Sequence, residues 1–364
     1  VLLIASYGLM VHGGGAERMR VGVQYVAFNL VGSTLFLFAL ATIYSVTGTL
    51  NMADLAQKMP LLPQGDGALV RASAVMLLLV FAIKGALVPL QFWLPRTYAE
   101  ASAPVAALFA VMTKVGAYSV IRFGTLVYPP DLPVTNSLWG DVIWAAALVS
   151  IAVGAFGALA AARLGVMIGF ATIGSMGVLF LAVAAFTPAS IAAALYYVLH
   201  STLATALLFL LADMIRARRG SDDFAPAGPP FAQSGLLASL FMLAAIAMVG
   251  LPPLSGFVGK FMILGALSDH ATVAYSAVLG GSLITMLAFA RAGSALFWRE
   301  DAMVVKHQRS AQPQAFAALF LLVGAIVALT VLAGPITQWL AQTAAGLMAP
   351  QPYIDVQSLP QAVR

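Results

Sequence analysis

The sequence contains no cysteine. Disulfides, thiolate metal sites, iron–sulfur clusters and cysteine nucleophiles are therefore excluded. Charge is nearly as scarce. The 18 basic and 13 acidic residues amount to 9% of 364, against about 25% in a soluble domain. So few charges cannot cover a soluble globule of this size, which removes a soluble enzyme and a soluble nucleic-acid binder. No Gly-rich phosphate loop, HExxH or nucleophile elbow occurs. Four histidines make a haem or multi-histidine centre unexpected, and neither a cofactor nor a metal is read from the residues. What is abundant is apolar: 62% of residues are hydrophobic, and mean hydropathy is +0.97. These figures describe an all-α polytopic membrane protein with hydrocarbon as its main solvent and the lipid bilayer as its first partner. The net charge of +5 reflects basic loops kept on the cytoplasmic side, so no nucleic-acid partner is expected.

Apolar stretches near 20 residues mark the spans. A partial one covers Val1–Val11. Full spans are expected near Val21–Thr47, Ala72–Leu94, Pro104–Phe123, Leu138–Ala162 and Leu164–Phe186, then Ala189–Ile215, Phe231–Leu267, Ala271–Phe297 and Pro313–Leu340. That gives about nine full spans and one partial one. Residues 1–340 form one transmembrane domain and residues 341–364 a polar C-terminal tail. The chain opens at Val1 inside an apolar run with no signal-peptide layout, so it is expected to lack its natural N-terminus. Asp222, Asp223, Pro226, Pro229 and Pro230 mark a surface loop.

Basic residues sort by loop. Odd loops hold Arg18, Arg20, Arg96, Arg163, Arg216, Arg218, Arg219, Arg299, Lys306 and Arg309; even loops hold Lys58, Arg71 and the border residue Arg122. Ten against three places the odd loops in the cytoplasm. Arg291, inside a span end, is expected to snorkel to the same side. The tail then faces the opposite side, unless part of it lies along the membrane surface.

Three lysines remain inside spans: Lys84, Lys114 and Lys260. A charge at mid-bilayer costs about 2.5–3.5 kcal/mol on insertion scales, so such residues mark a polar interior. Lysines near span ends can snorkel, but Lys84 and Lys114 have about ten mostly apolar residues on at least one side. No Asp or Glu lies deep in a span beside them; Glu100, Asp141 and Asp213 are near helix ends. Desolvation disfavours a charged amine, so such a lysine can give up and regain a proton, which an arginine cannot. His200 adds a further relay candidate, and its neighbours Tyr197, Ser201, Thr202 and Thr205 could continue a hydrogen-bonded chain. Ser175 and Thr172 are weaker candidates, because small polar residues first serve helix packing.

Two spans are expected to break. Pro89 lies five residues after Lys84, and Pro252-Pro253 lies seven before Lys260 with Gly250 and Gly256 flanking. Proline removes a backbone hydrogen bond and clashes with the preceding turn. Interrupted helices at matching places in two halves point to an inverted-repeat transporter with its ion path at the breaks.

The segments carrying these residues are Phe81-Ala-Ile-Lys84-Gly-Ala-Leu-Val-Pro89-Leu-Gln-Phe-Trp93-Leu-Pro95, Ala99-Glu-Ala-Ser-Ala-Pro104-Val, Met112-Thr-Lys114-Val-Gly-Ala-Tyr118 and Gly250-Leu-Pro-Pro-Leu-Ser-Gly256-Phe-Val-Gly-Lys260. Over nearly the whole chain they resemble the proton-antiporter subunits shared by Mrp-type (Pha-type) monovalent cation/proton antiporters and respiratory complex I. Asn29-Leu-Val-Gly-Ser33, Gly48-Thr-Leu-Asn-Met52-Ala-Asp-Leu55 and His200-Ser-Thr-Leu-Ala-Thr-Ala-Leu-Leu-Phe209 resemble the D subunit of the Mrp group. The resemblance implies fourteen helices in two inverted five-helix repeats, with Val1–Val11 ending the fifth. It also implies that Lys84 is the lysine of the broken seventh helix, Lys114 that of the eighth and Lys260 that of the broken twelfth, with His200 on the eleventh. The family's fifth-helix glutamate would lie just before Val1. Some members carry an eleventh-helix lysine where this chain has Thr205, which shifts part of the relay to His200, Thr205 and water.

The expectation is a proton-translocating subunit of a hetero-oligomeric Na⁺ or K⁺/proton antiporter, not an enzyme, in a bacterial inner membrane and working with other subunits. The alternative is a proton-pumping subunit of NADH-quinone oxidoreductase or a membrane-bound hydrogenase. A purely structural membrane subunit would tolerate apolar replacements of the three lysines.

Overall fold

In hydrocarbon every backbone N–H and C=O must be satisfied within the chain, which leaves helices as the economical form for these apolar runs. The computed structural model describes residues 2–225, 231–299 and 312–357. Among them are fifteen helices and no strand: α1 (Leu2–Val11), α2 (Ala16–Thr47), α3 (Met52–Lys58), α4 (Gly67–Gly85), α5 (Leu94–Glu100), α6 (Ala103–Leu126), α7 (Leu138–Ala160), α8 (Leu164–Ala184), α9 (Pro188–Arg219), α10 (Ser234–Val249), α11 (Ser255–Ala266), α12 (Ala271–Phe297), α13 (Pro313–Val331), α14 (Ala333–Met348) and α15 (Gln351–Gln357). Eight of them are long and apolar enough to cross a membrane: α2, α4, α6, α7, α8, α9, α12 and α13. Pro226, Pro229 and Pro230 of the expected loop, Lys306 and Arg309 of the ninth loop, and the last seven residues of the tail lie outside the described residues.

Proline sets where helices stop. Its ring clashes with the carbonyl four residues back and it has no N–H to offer. Accordingly α4 ends at Gly85, four before Pro89, and α10 ends at Val249, four before Pro253. The same rule divides the span expected at Pro313–Leu340. There α13 ends at Val331, four before Pro335, and α14 carries on past Leu340 to Met348.

The first two breaks share one local geometry. Ala86 and Gly250 take left-handed φ values of 52° and 82°. Leu87 N–H then donates to Ala82 O at 3.0 Å, and Leu251 N–H to Ile246 O at 3.1 Å, the 6→1 bond that closes a helix C-terminus. The peptides Val88–Pro89 and Pro252–Pro253 are both cis. Other groups satisfy the backbone freed at the first break. Trp93 Nε1 donates to Ile83 O at 3.1 Å, and Val88 N–H to Ser150 Oγ at 2.9 Å.

The longest inner helix, α9, is defined at both ends by its sequence. Thr187 caps it through Ser190 N–H in a capping box with Pro188 next in line, while Gly220 closes it in the left-handed form after Arg216, Arg218 and Arg219. α9 packs against α6, α8, α10, α11, α13 and α14, and so forms the axis of the second half.

The loops sort into two ends, as alternation requires. At one end Arg18 Nε donates to Glu100 O at 2.7 Å, and Arg163 pairs with Glu100 at 2.6 Å and Asp222 at 3.2 Å. Arg291 donates to Ala161 O there and lies 5.4 Å over the Phe224 ring. Partial burial works against the Arg163 charge, but Glu100 and Asp222 outweigh it and hold the guanidinium above its ordinary range. At the other end α15 packs on α3, Asn51 Nδ2 donates to Gln357 O at 3.1 Å, and Arg122 lies 4.2 Å from the Tyr353 ring centre. The first end gathers odd loops and the second gathers even loops with the chain's last described helix.

Candidate functional site

Lys84 lies in the last turn of α4, two residues before the left-handed Ala86. Its Nζ donates to Asn29 Oδ1 on α2. A cavity of about 460 Å³ between α2, α4 and α6 reaches Lys84 past Gly32, Ser33, Met112 and Ser119. Lys114 lies mid-way along α6, 3% exposed. Among the described residues its Nζ has no hydrogen-bonding partner, and neither has Thr205 Oγ1 on α9. α4 and α6 come close where these lysines sit: a side chain on Gly116 would run into the backbone of Gly85.

His200 is buried on α9, and its Nδ1 is 2.9 Å from Ser255 Oγ, the first residue of α11. Gly256 lets α11 approach this closely, since a Cβ there would meet Ala247 O and lie 2.8 Å from His200 Nε2. Lys260 turns back across the break. Its Nζ donates to Val249 O, the last carbonyl of α10, at 2.6 Å and to Ser282 Oγ on α12 at 2.7 Å. A cation at a helix C-terminus is favourably placed against the helix dipole. Lys260 also lines a cavity of about 20 Å³ with Ser282, Thr285, Ser175 and Tyr197, and Ser175 Oγ lies 3.1 Å from Tyr197 OH. That volume suits about one water molecule in a polar setting.

The site residues expected from sequence therefore fall into groups. Ser175 and Tyr197 join Lys260 at one cavity, and His200 meets Ser255, the first residue of the helix that carries Lys260. Ser201 and Thr202 turn their hydroxyls to Val198 O, at 3.4 and 2.8 Å, on their own helix. The two breaks share a register, but the lysines sit on opposite arms: Lys84 on the arm before its break, Lys260 on the arm after. Asn29, Ser255 and Ser282 belong to the site without being evident as site residues in the sequence. Asn29, an amide well inside an apolar span, carries a signal; a serine among glycines, such as Ser282, does not.

Residues 1–285 match the family described as NADH:quinone oxidoreductase/Mrp antiporter, TM. The chain belongs to this family. It is 38% identical over 363 residues to the D subunit of the Na(+)/H(+) antiporter of Bacillus subtilis (strain 168), covering 98% of this chain and 71% of that one. It is 34% identical over 395 residues to the D subunit of a probable K(+)/H(+) antiporter of Rhizobium meliloti (strain 1021), covering 100% and 72%. Among solved structures, a chain of the Mrp complex from Dietzia sp. DQ12-45-1b superposes with a TM-score of 0.83 at 25% identity, over 97% of this chain and 73% of that one. A chain of respiratory complex I from Thermus thermophilus gives 0.80 at 28%, over 95% and 73%. The architecture is accordingly the antiporter-like inverted-repeat bundle, and the two discontinuous helices, α4–α5 and α10–α11, are its matching breaks.

Proposed function

We propose that the chain is the proton-translocating subunit of a multisubunit Na⁺ or K⁺/proton antiporter of a bacterial inner membrane, with the basic-loop end in the cytoplasm. Residues 1–340 carry the transport domain, followed by the C-terminal segment. The observation that carries this reading is the set of Lys84, Lys114, His200 and Lys260 within the bundle, Lys114 and His200 buried and Lys84 and Lys260 half-buried beside the two helix breaks. Three of the four sit beside neutral acceptors, Asn29 for Lys84, Ser255 for His200, and Val249 O with Ser282 for Lys260, and Lys114 has none among the described residues. Neutral acceptors hold a protonated amine without fixing it permanently in an ion pair. A proton arriving on one member raises the cost of a proton on the next, so charge can pass along the row. Thr205 and Ser175 border this row and serve as its supporting polar groups.

The relatives named as antiporter D subunits favour this reading over a redox-driven pump. Complex I carries the same fold, and neighbouring genes separate the two: small companion antiporter subunits against quinone-oxidoreductase subunits. Lys84→Ala is expected to abolish cation-dependent proton exchange in everted vesicles of the assembled complex, with assembly intact. Unchanged exchange would sink the relay.

A further inference from the structure

On the outer surface of the bundle a groove runs between α10 and α12, with a volume of about 230 Å³. All of its lining is apolar, including Phe241, Met242, Ile246, Met286, Phe289 and Trp298. It extends from Ala238 to Leu251 along one wall and from Met286 to Trp298 along the other. At a rise of about 1.5 Å per residue each wall is about 18 Å deep. One leaflet of the hydrocarbon core is about 15 Å thick. The groove therefore begins at the basic-loop end and stops near mid-membrane, at the α10 break.

An apolar groove at this depth holds hydrocarbon, not water. At about 230 Å³ the groove has room for a single acyl chain along its length. At the mouth stands Trp298, 74% exposed, and Arg299, also exposed, follows it in the chain. Tryptophan settles at the headgroup level, and basic residues at this depth attract anionic headgroups.

We propose that this groove binds one acyl chain of an anionic phospholipid from the basic-loop leaflet, with the headgroup on Arg299. The floor of the groove gives the site a consequence. Val249 and Leu251 line it, and Val249 O is the carbonyl that holds Lys260. The bound chain buttresses the end of α10 that carries this carbonyl. The site does not depend on the relay assignment, since it rests on shape and on Arg299.

The test uses the assembled complex in phosphatidylcholine nanodiscs, titrated with phosphatidylglycerol brominated on its acyl chains. Brominated phosphatidylcholine is the second arm, and Trp298→Phe identifies the reporting fluorescence. Brominated phosphatidylglycerol is expected to quench Trp298 at a lower mole fraction than brominated phosphatidylcholine does. Arg299→Gln is expected to raise the half-quenching fraction about fivefold, the effect of one basic residue at an anionic surface. Gly293→Phe, which fills the groove, should abolish the preference. Equal quenching by the two lipids would overturn the proposal, as would no quenching at all, the result if a protein partner covers the groove. Arg299 is on the surface, so its variant decides the matter even if the filled groove prevents assembly.

Discussion

Lys84 and Lys114 are chemically the same residue in different circumstances. Lys84 donates to the Asn29 amide, whereas Lys114 has no partner among the described residues. An ammonium held by a neutral amide keeps a defined position while remaining free to lose its proton. Removing a partner from a buried charged group costs about 1.5–3 kcal/mol. Asn29→Leu is therefore expected to lower complex stability by about that amount and to slow proton exchange, with Asn29→Gln restoring part of the rate. Vesicle exchange and detergent-melting measurements on both variants check this; normal exchange in Asn29→Leu would remove Asn29 from the site. The lysines are legible in the sequence because charge is rare and each sits in an apolar run. Asn29 is less so, because a neutral amide is cheaper to bury and stands out less.

The elements follow rules that sequence carries well. Three helices end four residues before a proline, at Gly85, Val249 and Val331. The first two breaks are the expected ones. The third falls inside what reads as one continuous span, although Gly334-Pro335 announces it, and it moves the end of the last helical region from Leu340 to Met348. What the sequence does not disclose is how the freed backbone groups are satisfied, because the partners come from far along the chain or from other helices. Trp93 reaches back ten residues to Ile83 O, and Ser150 comes across from α7. Trp93→Phe keeps the ring and removes the indole donor. It is expected to cost about 0.5–1.5 kcal/mol, read as a lowered unfolding midpoint of the complex in mixed micelles. An unchanged midpoint would mean that the Ala86 N–H, which donates to the same oxygen at 3.2 Å, suffices for the Ile83 carbonyl.

At the scale of the whole molecule the basic-loop end is closed by a cluster centred on Arg163, which joins the odd loops through Glu100, Asp222 and Asp223. The Arg163 side chain is 32% exposed, so salt weakens the cluster. A group whose folded pKa is raised stabilises fully below its unfolded value and loses that stabilisation only as pH rises through the folded one. For an arginine held above its ordinary range both lie far above working pH. Arg163→Met should therefore lower the melting temperature of the complex equally at about pH 7 and about pH 9, and by less at high salt. A loss that changes between those pH values would show that the partners, not Arg163, set the cluster's strength.

The sequence by itself determined the solvent, the approximate spans, two of the three places where helices break and the sorting of basic residues by loop. Each of these is a local property: hydrophobicity over about 20 residues, or proline acting on the carbonyl four back. The family could be read from motifs for the same reason, because they lie in continuous segments. Only the tertiary structure decided which groups meet. It paired Lys84 with Asn29, set His200 against Ser255, turned Lys260 back onto Val249 O and Ser282, and placed the two lysines on opposite arms of matching breaks. Those contacts depend on how helices far apart in sequence cross. The crossings are set by close approaches such as that at Gly256, which no local pattern encodes.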